Sequence, residues 1–124
     1  MKTILVIEDN EINQDLISRR LKKKGYKVEL AGDGESGFEL IKKLMPDLVL
    51  LDMNLPLLDG WQVAQICKIT QSTKHIPIIA LTAHAMSGAR EKALDAGCDD
   101  YESKPINFDE LMIKIEKFLQ QKAA

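Results

Sequence analysis

Asp47-Leu48-Val49-Leu50-Leu51-Asp52 sets four consecutive apolar residues between two acids. An uninterrupted apolar run of this length reads as a strand buried on both faces, the mark of a parallel sheet covered by helices. The same pattern recurs on either side. Ile4-Leu5-Val6-Ile7 runs into Glu8-Asp9, and Ile76-Pro77-Ile78-Ile79-Ala80-Leu81 runs into Thr82. Its proline sits near the strand start, where a missing donor is tolerated. Val28 to Ala31 and Cys98 to Ser103 read as shorter strands. Helical spacing fills the gaps between them. Ile12, Leu16, Ile17 and Leu21 follow an N-cap at Asn10, and the Lys22-Lys23-Lys24 run with Gly25 closes that helix. Phe38, Ile41, Leu44 and Met45 mark a second helix, stopped at Pro46. A loop with Pro56, Asp59 and Gly60 leads to a third, carrying Val63, Ala64 and Cys67. Ala85, Ala89, Ala93 and Ala96 form a small-residue stripe on a fourth, ending at Gly97. Asn107 and Glu110 open a fifth with a capping-box spacing, followed by Phe108, Leu111, Ile115, Phe118 and Leu119. Five βα units with apolar strands predict an α/β, doubly wound parallel sheet.

The chain of 124 residues is 45% hydrophobic and 29% charged, with a formal net charge of −2. That length suits a single domain over residues 1–124 with a core large enough to need no staple. Near-balanced charge argues against nucleic acid or an anionic membrane as partner. No early apolar run reaches the length of a signal peptide or a membrane span, so a cytoplasmic protein is expected. Cys67 and Cys98 form no CxxC and have no neighbouring ligand residues, which reads as two buried small hydrophobes.

A doubly wound sheet binds ligands beyond the carboxyl ends of its strands. The residues predicted there are Glu8-Asp9, Asp52, Thr82 and Lys104. Carboxylates a few ångströms apart repel by about 3–4 kcal/mol per pair at an effective dielectric near 20. One lysine cannot balance three of them. An oxygen-only set suits a hard divalent cation, Mg²⁺ (or Mn²⁺), and disfavours zinc. A carboxylate beside such an ion, a lysine and a hydroxyl can attack a phosphoryl group and become an aspartyl phosphate. Any one of these acids could merely cap a helix; all five positions falling at strand ends is a different matter.

The ordered set Glu8-Asp9, Asp52, Thr82-Ala83 and Lys104-Pro105 resembles that of response-regulator receiver domains of two-component signalling. The likeness covers Ile4 through Leu119, with Glu8 standing where the family more often has Asp. It implies a flavodoxin-like (βα)5 fold with strand order 2-1-3-4-5. It implies Asp52 as phosphoacceptor, assisted by Lys104 and Thr82. The metal would be held by Asp9, Asp52, the Asn54 backbone carbonyl and, through water, Glu8. Thr82 and Tyr101 match the family's coupled switch pair, and Lys104-Pro105 its usual cis peptide. The implied donor is a sensor histidine kinase or histidine phosphotransfer protein. The implied output is a target protein at the strand-five face, with the chain a monomer or a phosphorylation-dependent dimer. With no output domain after the last helix, a stand-alone regulator is expected, one that catalyses its own phosphorylation and dephosphorylation and turns over no external substrate.

Three rival readings are weaker. Gly32-Asp33-Gly34-Glu35-Ser36-Gly37 spells GxGxxG, but Asp33 and Glu35 would set negative charge where a pyrophosphate belongs. An aspartyl-phosphate phosphatase would usually carry a second acid where Asn54 stands. A receiver-like scaffold that is never phosphorylated leaves the intact acids, threonine and lysine without a use. His84 lies two residues past Thr82, near enough to influence water at the site, although an exposed helix-start residue is the plainer reading; His75 suggests nothing. Trp61, opening the third helix, reads as packing.

Overall fold

Parallel pairing of five short strands organises the chain in the order β2-β1-β3-β4-β5. The computed structural model describes residues 1–55, 58–82 and 88–123. The strands are β1 (Thr3–Ile7), β2 (Lys27–Ala31), β3 (Leu48–Asp52), β4 (Ile78–Thr82) and β5 (Asp100–Ser103). Between and after them come α1 (Glu11–Lys23), α2 (Gly34–Leu44), α3 (Gly60–Ile69), α4 (Ala89–Asp95) and α5 (Phe108–Ala123). This is the predicted doubly wound α/β sheet in the order the resemblance implied.

The strands alternate their side chains between two cores. Leu5, Ile7, Val49 and Leu51 join Ile41 of α2, Val63, Ala64 and Cys67 of α3, and Ala93 of α4. Ile4, Val6, Leu48 and Leu50 join Ile17 and Leu21 of α1 and Leu111 and Ile115 of α5. Every residue of β3 and β4 is buried. A fully buried aliphatic side chain contributes about 1.5–3 kcal/mol, so the two central strands dominate the hydrophobic driving force. They also rigidify the edge at which the strand-end residues meet.

Several boundaries differ from the sequence expectation, each for a local reason. β3 starts at Leu48, because Asp47 turns its carboxylate back to accept from the Thr3 N–H at 2.8 Å. β4 starts at Ile78: Pro77 has no N–H, and the Ile78 N–H is taken by the Asp99 carboxylate at 2.8 Å. That same carboxylate pairs with Lys68 at 2.9 Å, and β5 correspondingly begins at Asp100 rather than Cys98. α2 ends just before Pro46, with Met45 in the left-handed region at φ 49°. Of the predicted alanine stripe, Ala93 and Ala96 are buried; Ala85 lies outside the described residues, as do Pro56, Ala83 and His84.

The GxGxxG stretch is a packing device. A Cβ on Gly34 would collide with the Leu58 backbone carbonyl, and one on Gly37 would lie 2.5 Å from Ile7 Cδ1. Asp33, far from repelling a ligand, caps α2 by accepting from the Ser36 N–H at 2.7 Å. The two glycines let α2 sit close against β1 and the β3–α3 loop.

Candidate functional site

Parallel register brings the strand ends to one edge. Ile7 pairs with Leu51, Asp52 with Leu81, and Thr82 with Ser103, so the residues just past those pairs share one rim. Glu8 and Asp52 are buried there, at 0% and 2% exposure, while Asp9 is exposed. One carboxylate oxygen from each of the three lies within 4.8 Å of the others. Lys104, one residue past β5, extends its ammonium between two of them: 3.3 Å from Glu8 Oε1 and 3.4 Å from Asp52 Oδ2. Thr82 closes the group as a buried residue at the end of β4. The strand-end residues expected from sequence therefore converge.

Charge dominates this cluster. Burial pushes the Glu8 carboxyl up to about 7, helped by its hydrogen bond and charge contact with Asp52; Asn13 and Lys104 pull the other way. Burial favours the neutral carboxyl, while the charge contact with Asp52 marks a local excess of negative charge that a cation would offset. The donor set fits a hard divalent cation: three carboxylates at metal-binding separation, two of them buried, with no sulfur or imidazole among them. The Asn54 N–H donates to Asp52 Oδ1 at 3.0 Å, which fixes the aspartate and starts the β3–α3 loop. Gly60 closes that loop behind the aspartate, because a Cβ there would strike the Asp52 carbonyl oxygen. Asp59 and Gln62 form a reciprocal capping box at the start of α3, a local role only.

Lys104-Pro105 is a cis peptide, as the resemblance implied. Tyr101 is half-buried and packs on the α3–α4 side of the sheet. Above its ring, 5.3 Å from the centroid, sits the ammonium of Lys114 from α5. Lys114 also donates to the Tyr101 carbonyl at 2.6 Å and pairs with the buried Glu102 at 3.2 Å. Burial raises the Glu102 carboxyl above its ordinary range. Sequence reasoning did not reach Lys114, which lies thirteen residues beyond the tyrosine it covers. It also passed over Asn13 and Gln14, both on the first turn of α1. Asn13 Nδ2 donates to Glu8 Oε1 at 2.6 Å, and Gln14 Nε2 to the Glu8 carbonyl at 2.5 Å. A signal existed: two amides on the helix turn next to an acidic strand end. Trp61 packs against the core, with Lys92 over its ring at 4.6 Å, in line with a packing role. Cys67 and Cys98 are free and buried, as expected. Among the described residues no helix is long and apolar enough to cross a membrane.

Known proteins resemble this chain in both sequence and fold. The family model of the response regulator receiver domain matches residues 4–116. The polar-differentiation response regulator DivK of Brucella ovis is 35% identical over 118 residues, covering 95% of this chain and 96% of its own. A hybrid signal transduction histidine kinase of Dictyostelium discoideum is 36% identical over 129 residues; this chain spans only 7% of that protein's length. Among solved structures, the receiver domain of the sensor histidine kinase PA1611 from Pseudomonas aeruginosa superposes with a TM-score of 0.89 at 36% identity. That match covers 96% of this chain and 98% of the other, and the PA1611 structure holds a magnesium ion in its active-site cleft. The receiver domain of Saccharomyces cerevisiae Ssk1, crystallised with the histidine phosphotransfer protein Ypd1, gives 0.90 at 30% identity, covering 99% and 92%. With the family model spanning most of the chain, the predicted strand order observed and the acidic rim in place, this chain belongs to the response regulator receiver domain family of two-component signalling.

Proposed function

We propose that the chain accepts a phosphoryl group on Asp52 from a phosphohistidine, carried by a sensor histidine kinase or a histidine phosphotransfer protein. The observation behind this is the buried Asp52 carboxylate held between Glu8, Asp9 and the Lys104 ammonium. Asp9, Asp52, the Asn54 carbonyl and, through water, Glu8 would hold Mg²⁺. When bound, Mg²⁺ supplies positive charge to the phosphoryl oxygens. In the transfer, an Asp52 carboxylate oxygen forms the new bond to phosphorus. The bond from phosphorus to the donor's imidazole nitrogen breaks, and that nitrogen leaves with the electron pair. Lys104, already 3.4 Å from Asp52, turns to a phosphoryl oxygen and neutralises part of its charge. The Thr82 hydroxyl then donates to another. That movement opens space for the Tyr101 ring and biases the β5 face between two states. The chain thereby assists its own phosphorylation and dephosphorylation and turns over no external substrate.

Partner chemistry follows from the surfaces around the rim. A groove of about 510 Å³ between α1 and the β5–α5 connection opens beside Lys104, floored by Leu16, Ile17, Ile106 and Phe108. Ile12 and Leu16 on α1 are exposed at 78% and 45%. A donor protein delivering a phosphohistidine to Asp52 would cover this apolar margin. Leu94 of α4 and Ile113 of α5 are exposed as well, and a downstream target would read the β5 face that carries Tyr101.

Intact-protein mass after incubation with Mg²⁺ and acetyl phosphate, beside Asp52→Asn, tests the reading. The expected result is a Mg²⁺-dependent gain of one phosphoryl group that the variant lacks. No gain from acetyl phosphate or from a phosphorylated histidine phosphotransfer protein would refute it and leave a receiver-like scaffold.

A further inference from the structure

We infer that Asn13 is a positioning residue for the metal site: its side-chain amide sets the orientation of the Glu8 carboxylate and thereby the affinity for the divalent cation. This rests on the metal reading above and adds to it a residue outside the ligand set.

Glu8 is fully buried, so its carboxylate orientation is decided by protein groups alone. Besides the Asp52 carboxylate, two side chains reach it, Lys104 and Asn13, and they differ in kind. The Lys104 ammonium straddles both oxygens at 3.3 and 3.4 Å, long contacts with little directional preference. Asn13 Nδ2 makes one short bond, 2.6 Å, to Oε1. A planar amide donating to one named oxygen restricts rotation about the carboxylate in a way a distant ammonium does not.

Asn13 is itself held. Its backbone N–H donates to the Oδ1 of Asn10, the α1 N-cap, at 3.0 Å. The next residue, Gln14, donates its side-chain amide to the Glu8 carbonyl. On the strand side, the Glu8 N–H is tied to the Ala31 carbonyl at 3.0 Å. Glu8, Asp9 and Asn10 thus form a short loop stitched to the first turn of α1 by four hydrogen bonds, the fourth from the Gln14 N–H to the Asn10 carbonyl, and of these only the one from the Asn13 side chain ends on the carboxylate. Partners that orient a metal-holding side chain commonly change affinity by about 10–100-fold when lost, and with Glu8 reaching the metal through water the lower end of that range applies to Asn13. Because Asn13 also lines the groove beside Lys104, a protein docked there would touch the amide that orients Glu8.

The test is calorimetric titration of Mg²⁺ into the full chain and into Asn13→Ala and Asn13→Leu, the second keeping side-chain bulk without the donor. Thermal melting in EDTA is measured alongside. Both variants should lose about tenfold or more in Mg²⁺ affinity while their metal-free melting temperatures stay near that of the unaltered chain. Asp33→Ala, which removes the α2 cap away from the site, should do the reverse: lower melting with unchanged Mg²⁺ affinity. Affinity within twofold of the unaltered chain in both Asn13 variants would overturn the inference and leave the metal reading standing. Failure of the unaltered chain to bind Mg²⁺ would overturn both.

Discussion

Neutralising Asp52 should make the metal-free protein more stable, not less. The Asp52 carboxylate sits within 4.8 Å of oxygens from both Glu8 and Asp9, a separation that costs about 3.5 kcal/mol per pair at an effective dielectric near 20. Against this, Lys104 at 3.4 Å offsets about 5 kcal/mol at the same dielectric. The balance leaves the ionised Asp52 about 2 kcal/mol worse off than a neutral amide of the same shape. Screening at the exposed Asp9 trims this figure, and desolvation of the 2%-exposed Asp52 adds to it. Asp52→Asn keeps an oxygen for the Asn54 N–H, so no new unsatisfied donor offsets the gain. For a domain of this size, 2 kcal/mol corresponds to roughly 8 °C in melting temperature. The gain should also depend on pH. Glu8 titrates near 7 in the folded chain against 4.5 for an ordinary glutamate, so folding favours its protonated form. The metal-free parent therefore loses stability as pH rises through the window from about 4.5 to about 7. As pH falls below about 7 the folded chain's Glu8 becomes protonated and no longer repels Asp52, so the variant's advantage shrinks. Thermal melts followed by circular dichroism, in EDTA at pH 5.5 and pH 8 for both proteins, measure this. A variant that melts at or below the parent at pH 8 would refute the crowded-carboxylate argument, as would an advantage larger at pH 5.5 than at pH 8.

Lys104→Met should retain Mg²⁺ binding, since it removes the competing cation, yet slow phosphorylation by acetyl phosphate at least tenfold; a collapse of Mg²⁺ affinity in titration would show that the lysine's role is misassigned. Gly60→Ala should destabilise by about 1–3 kcal/mol in urea unfolding and weaken Mg²⁺ binding as well, because the added methyl strikes the Asp52 carbonyl oxygen. Burial pushes the Cys67 thiol up to about 11 and the Cys98 thiol up to about 12, so neither should react with a thiol-specific disulfide reagent at pH 8 until guanidinium unfolds the chain. Rapid modification of either in the native protein would contradict the packing.

The linear order of residues was enough to specify the architecture and the reactive edge. Apolar runs such as Leu48–Leu51 bury on both faces wherever they occur, so their alternation with helical spacing predicts a parallel sheet before any contact is known. Strand-end residues inherit their place from that sheet, which is why Glu8, Asp9, Asp52, Thr82 and Lys104 were legible as one group. The 2-1-3-4-5 order came from resemblance, because periodicity carries no information about which strands are neighbours. Tertiary structure alone decided the finer matters. Whether a glycine serves a turn or a close contact depends on what lies opposite, and opposite Gly34 lies the Leu58 carbonyl. The strand starts at Leu48 and Ile78 were set by the Asp47 and Asp99 carboxylates reaching across to backbone N–H groups 44 and 21 residues away. The same holds for Asn13 on Glu8 and Lys114 over Tyr101. Side-chain hydrogen bonds and cation–π contacts act over a few ångströms and follow from folding, so at most a cue such as two amides beside an acidic strand end hints at them, whereas hydrophobic periodicity is written residue by residue.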